Sequence, residues 1–150
     1  MEMVILTGCQ GAGKTTFYTS TFLHTHVRVN LDRLKTRKRE ALLIDACIGM
    51  RQSFVIDNTN PTRDDRAKYI ELVRGTRFKV TGYFFETAIE SVLTRNAARS
   101  GRARVPEVVV LGTLRRLEIP SVAEGFDTLF RVQALDDGLF RVTGDGSPTP

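Results

Sequence analysis

Eight consecutive residues, Gly8-Cys9-Gln10-Gly11-Ala12-Gly13-Lys14-Thr15, fit the pattern G-x-x-x-x-G-K-[ST] at each fixed position. The apolar run Met3-Val4-Ile5-Leu6 ahead of it reads as a buried strand, and a helix is expected to start near Gly13. In that setting the glycines let backbone N–H groups turn inward around a polyphosphate, and the helix N-terminus adds its positive partial charge. Lys14 is then expected to reach the β- and γ-phosphates of a nucleoside triphosphate, ATP or GTP, while the Thr15 hydroxyl holds Mg²⁺. The loop's expected nucleotide-binding set is Gly8, Gly11, Ala12, Gly13, Lys14, Thr15 and Thr16.

The rest of the chain alternates short apolar runs with amphipathic stretches. Strands are expected at 27–30, 53–57, 78–85 and 128–134, and an amphipathic helix is carried by Leu34, Leu42, Leu43, Ile44, Cys47 and Ile48 to about Met50. Thr62-Arg63-Asp64-Asp65 has the form of a capping box and would open a helix through about Arg74, with further helices at 88–100 and 105–117. Parallel strands require crossovers, and crossovers cover the sheet. The order therefore predicts an α/β three-layer fold, a parallel sheet of about five strands with helices on both faces. Asp137-Gly138 lies between two further apolar runs and signals a C-terminal β-hairpin with a two-residue turn. The expected organisation is one domain over 1–143 and a flexible tail over 144–150.

Composition narrows the class. With 150 residues, 41% apolar and 26% charged, the chain suits one globular domain with a sizeable core. It carries no apolar run near the roughly 20 residues of a bilayer span and no leader pattern, so no membrane partner and a cytoplasmic location, or nuclear in a eukaryote, are expected. Cys9 and Cys47 offer neither a disulfide framework nor zinc-ligand spacing and read as free thiols, while His24 and His26 read as surface residues. The net charge is +5, with arginines concentrated at 33–39 and 95–116, which suits a polyanionic partner or, equally, solvated helix faces. The N-K-x-D motif of a GTPase is absent and a motor ATPase needs more chain, so a kinase is the expected class.

A kinase needs an acceptor site, a base and a cationic lid. Asp32 follows the second strand and Asp57 ends the third, so both should lie at the sheet edge that carries Lys14. Either could accept the proton of an attacking alcohol; equally, Asp32 could be a helix N-cap and Asp57 a loop carboxylate bonding its own backbone. Arg95 and Arg99 stand four apart on an expected helix, with Arg102 and Arg104 just beyond. They could close over the phosphates, since a guanidinium matches phosphate oxygens with a planar fork of donors, or they could form an exposed basic face.

The P-loop, Val29-Asn30-Leu31-Asp32, Ile56-Asp57-Asn58-Thr59-Asn60-Pro61 and Arg95-Asn96-x-x-Arg99 occur in the order seen in polynucleotide 5′-hydroxyl kinases, which the chain resembles over nearly its whole length. The resemblance, to the phage polynucleotide kinase and the kinase domain of the animal polynucleotide kinase/phosphatase, extends to Val105-Pro106 and Pro120-x-x-x-Glu124-Gly125-Phe126. It implies that Asp32 is the general base for a 5′-hydroxyl of DNA or RNA and that Arg99 contacts the donor phosphates, with Arg95 expected beside it from the helix spacing. It also implies an acceptor site drawn from Asp32, Lys35, Asp57, Thr59 and Asn60, and repair or ligation proteins as partners. Members usually carry arginine where this chain has Lys35, which supplies charge without bidentate geometry. No D-x-D-x-[TV] phosphatase motif occurs, so the chain is expected only to add phosphate, with no fused phosphatase. A small-molecule kinase and a non-catalytic ATP-binding adaptor are the competing readings.

Overall fold

The computed structural model describes residues 1–101 and 104–145. Six strands form one sheet in the order β2-β3-β1-β4-β5-β6: β1 (Glu2–Thr7), β2 (Val27–Val29), β3 (Phe54–Ile56), β4 (Lys79–Phe85), β5 (Thr128–Ala134) and β6 (Phe140–Gly144). The first five run parallel and β6 pairs antiparallel with β5. The expected parallel sheet and hairpin are both present, and the hairpin extends the sheet by a sixth, antiparallel edge strand.

The apolar run of β1 is uninterrupted because both of its faces are covered. Met3 and Ile5 pack with Ile44, Phe54, Ile56, Ile70 and Val73 on one side. Val4 and Leu6 pack on the other with Phe17, Phe22, Val55, Phe85, Val92 and Val110. The first layer is closed by α3 (Arg37–Met50) and α4 (Arg63–Val73), the second by α1 (Lys14–Thr21), α5 (Ile89–Ala97) and α6 (Glu107–Arg116). Gly82 sits mid-strand in β4 because a Cβ there would lie 2.7 Å from Leu129 and Phe126 side-chain atoms. The capping box at Thr62 and Asp65 forms as read.

Three local expectations are corrected. The helix expected from Leu34 is broken: a one-turn helix α2 (Leu31–Leu34) ends at Lys35, whose φ of 74° reverses the chain before Thr36 caps α3. The hairpin connection is longer than two residues, since Ala134 pairs with Phe140 and Gly138 N–H returns to the Leu135 carbonyl with φ 82° at Gly138. His26 is not a surface residue; its ring lies edge-on to Phe22 and bonds Glu2 at 3.2 Å. Gly144, where the tail was expected to begin, is the last residue of β6, and 146–150 lie outside the described residues. Both cysteines are free and buried. Among the described residues no helix is long and apolar enough to cross a membrane.

Candidate active site

The glycine loop joins β1 to α1 at the carboxyl end of the sheet. Gly11 and Gly13 take φ of 83° and 99°, and a Cβ on Gly11 would stand 3.1 Å from the Val92 carbonyl, so the loop backbone lies directly against α5. Gly8 N–H is fixed to the Thr59 carbonyl at 3.0 Å, while Ala12 is fully buried and offers the site only its backbone. Lys14 Nζ donates to the Gly8 and Cys9 carbonyls at 2.7 and 2.9 Å, folded across its own loop. Burial pushes Lys14 down from 10.5 to about 8, opposed chiefly by the Asp57 carboxylate; Arg99 lowers it further and Asp32 raises it. The charges of Asp57, Arg99 and Asp32 thus all act on one ammonium. Burial also raises the Cys9 thiol, which stays neutral beside it.

On one side of the loop, Gly11, Gly13 and Thr16 line a cleft of about 170 Å³ with Arg95 and Arg99; its far wall is the hairpin, through Ala134, Leu135 and Gly138 to Phe140. Arg95 Nη1 is buried there without a hydrogen-bond partner, and a guanidinium left so is a site for an anion. These residues fit a nucleoside polyphosphate. The arginines' setting comes from Asn96: buried between them, it donates to the Val105 carbonyl at 2.5 Å and accepts from Val105 N–H at 2.8 Å, pinning the two ends of the segment beyond α5. Arg104 lines a separate hollow with Asn96, and Arg102 lies outside the described residues.

On the other side, Gln10 faces a second cleft of about 280 Å³ lined also by Asp32, Thr59 and Asn60. Asp32 is exposed on α2, and the cap of that helix is Asn30, which accepts from Arg33 N–H at 3.1 Å; Asp32 is therefore free of the capping role. Two asparagines set α2 in place. Asn30 Nδ2 donates to the Asp57 carbonyl at 2.5 Å and Asn58 Oδ1 accepts from Leu31 N–H at 2.9 Å. Thr59 lines the cleft, but the amide of Asn60, at φ 46°, is spent on the Leu6 carbonyl at 2.8 Å. Lys35 projects from the exposed reversal after α2 and does not line the cleft.

Asp57 lines neither cleft. It is 2% exposed and held by Arg28 at 2.7 Å, and Arg28 Nη2 also donates to the Thr15 hydroxyl at 3.2 Å. A cation thus already bridges the Thr15 oxygen and a carboxylate, the hard oxygen donors that Mg²⁺ prefers; the residues fit that ion. Arg28, Gln10 and the hairpin wall escaped the sequence reading, as did Arg66, fully buried between Glu124 (2.9 Å) and the Asn60 and Pro61 carbonyls (both 3.0 Å). Only Glu124 had a signal, as part of the Pro120-to-Phe126 block.

Comparison with known proteins agrees with the fold. A bifunctional polynucleotide phosphatase/kinase of Schizosaccharomyces pombe is 28% identical over 135 residues, 87% of this chain and 33% of that protein. The chain therefore spans about a third of the length of that relative. Among solved structures, Chaetomium thermophilum Kti12 in complex with ADP-AlF3 superposes with a TM-score of 0.70 at 13% identity, covering 91% of this chain and 92% of that one. A gluconokinase from Sinorhizobium meliloti gives 0.60 at 17% identity, covering 88% and 82%. Both have the same fold. Residues 3–120 match the AAA domain family AAA_33, and with four-fifths of its length inside that match the chain belongs to this family, as a nucleotide-binding P-loop kinase domain.

Proposed function

We propose that this domain transfers the γ-phosphate of ATP to the 5′-hydroxyl end of a DNA or RNA strand. The observation that carries the reading is that the glycine loop is a shared wall: Gly11 and Gly13 face the arginine-lined cleft, and Gln10 faces the cleft that holds Asp32. A donor on one side and an acceptor on the other meet across this loop, which also carries Lys14. The polynucleotide kinase likeness and the net charge of +5 favour a nucleic acid over a sugar as acceptor.

Asp32 accepts the proton of the attacking hydroxyl, a task that suits an exposed carboxylate held by its backbone rather than by a cap. Lys14 leaves the Gly8 and Cys9 carbonyls for the donor phosphates, and Arg95 and Arg99 neutralise charge on the transferred group. Thr15 would hold Mg²⁺, with Asp57 facing it once Arg28 withdraws; the ion supplies charge neutralisation on the phosphates. The hairpin wall, with Leu135 and Phe140, receives the nucleobase of the donor. Thr59 and Asn60 shape the acceptor side, Asp57 supports it only through its carbonyl's bond to Asn30, and Lys35 lends it long-range charge.

The test is transfer of labelled γ-phosphate to a panel of 5′-hydroxyl DNA, 5′-hydroxyl RNA, nucleosides and sugar acids. The 5′-hydroxyl strands should be preferred by at least about tenfold in kcat/KM. Efficient labelling of a sugar or nucleoside with none of a strand makes the domain a small-molecule kinase, and no labelling of any acceptor, with ATP bound, makes it an adaptor.

A further inference from the structure

We propose that the acceptor cleft is a track for a strand rather than a pocket for one nucleoside, with Arg37, Lys68 and Arg116 as its phosphodiester contacts; this rests on the nucleic-acid reading above. The three cations come from α3, α4 and the last turn of α6, so no helical periodicity accounts for their meeting along one cleft. Converging like charges raise the energy of a folded chain unless acids or a bound anion lie among them. The carboxylates in the cleft are Asp32, at the transfer end, and Asp65. Asp65 is committed to the cap of α4, where its Oδ2 accepts from Thr62 N–H at 3.2 Å and the Thr62 hydroxyl at 2.7 Å. Among the described residues no carboxylate lies within ion-pairing distance of Lys68 or Arg116, and both side chains are exposed.

Arg37 is held differently. Its Nη1 donates to Glu40 at 2.9 Å and to the Tyr69 hydroxyl at 3.0 Å. Asn58 Nδ2 donates to the same hydroxyl at 3.1 Å, and it is Asn58 that holds Leu31 beside Asp32. Arg37 is thereby tied to the Asp32 end while its side chain stays 66% exposed. Lys68, on α4, and Arg116, at the end of α6, both act on the Asp65 carboxylate. On this proposal Arg37, tied to the Asp32 end through Tyr69 and Asn58, takes the first phosphodiester, and Lys68 with Arg116, grouped at Asp65, take the next. Arg37, rather than Lys35, takes the phosphate nearest the acceptor nucleoside.

The experiment measures binding of a 3′-labelled 5′-hydroxyl tetranucleotide by fluorescence anisotropy across about 50–300 mM KCl, together with kcat/KM for 5′-hydroxyl acceptors of one to four nucleotides. Two phosphodiester contacts give a slope of log affinity against log salt near −1.4, and Lys68→Ala/Arg116→Ala should reduce it by about 0.7. That double variant should also lose the rise in kcat/KM between two and four nucleotides. Arg74→Ala/Arg77→Ala, with the same change in net charge at the opposite end of α4, should keep both. If strands are phosphorylated and Lys68→Ala/Arg116→Ala keeps the wild-type slope and length dependence, the track is wrong and the proposed function stands. If no 5′-hydroxyl acceptor of any length is phosphorylated, both fall.

Discussion

The depressed Lys14 ammonium makes nucleotide affinity depend on pH in a window where few other groups titrate. Lys14 sits at about 8 in the free protein because burial disfavours its charge more than Asp57 and Asp32 favour it. A polyphosphate at the loop reverses that balance, so binding should draw a proton onto Lys14. The free protein is about nine-tenths protonated at pH 7, half at pH 8 and one-tenth at pH 9, and ATP affinity should fall about tenfold from pH 7 to pH 9. Calorimetry in buffers of different ionisation enthalpy should find uptake of about 0.1, 0.5 and 0.9 proton at those three values. The phosphate's own titration lies below this window, and burial moves the Cys9 thiol upward, away from it. Lys14→Arg, with a guanidinium that does not titrate below pH 12, should bind more weakly but without the slope. Affinity that is flat from pH 8 to 9.5, with no proton uptake, would refute the reasoning. The same shift has a stability counterpart. Because the folded pKa lies below the unfolded 10.5, the ammonium costs the free protein up to about 3 kcal/mol below pH 8, and that cost is relieved as pH rises from 8 toward 10.5.

Asp32→Asn should lower kcat by at least about 10²-fold with little change in nucleotide affinity, measured by single-turnover kinetics; a larger loss in Asp57→Asn would exchange their roles. Arg99→Lys should be nearly as damaging to kcat as Arg99→Ala, because the planar fork and not the charge is what the donor cleft uses, and full activity in the lysine variant would contradict this. Glu124→Ala should destabilise the fold by about 3–5 kcal/mol in urea titration by stranding the fully buried Arg66, whereas a loss under 1 kcal/mol would mean the site rehydrates.

The phosphate cradle and the sheet were legible because each rests on local signals that point the same way: an apolar run, positive-φ glycines and a helix start within 15 residues. Asp32 was legible as a candidate because topology alone carries the ends of parallel strands to one edge, and Arg95 because it stands four residues from Arg99 on one helix. What escaped was long-range. Arg66 looked like any exposed helix cation until Glu124, 58 residues on, was folded against it. Arg28 sits in a three-residue strand, where nothing in the sequence says that its guanidinium will lie between Thr15 and Asp57. The break at Lys35 was hidden because the leucines on both sides fit one helical period, and only the left-handed backbone there turns Lys35 out and Arg37 in.

The hairpin that walls the donor cleft lies wholly beyond residue 120, outside the part of the chain that the family match spans. It hangs from the antiparallel edge, and its turn, Leu135–Leu139, supports none of the five parallel strands. In the function proposed above, the phosphate-binding groups belong to the matched framework and the donor nucleobase is met by this turn, so the two can be altered separately. Grafting the 135–139 turn of another domain of this fold should change which triphosphate is preferred and leave the acceptor preference where it was.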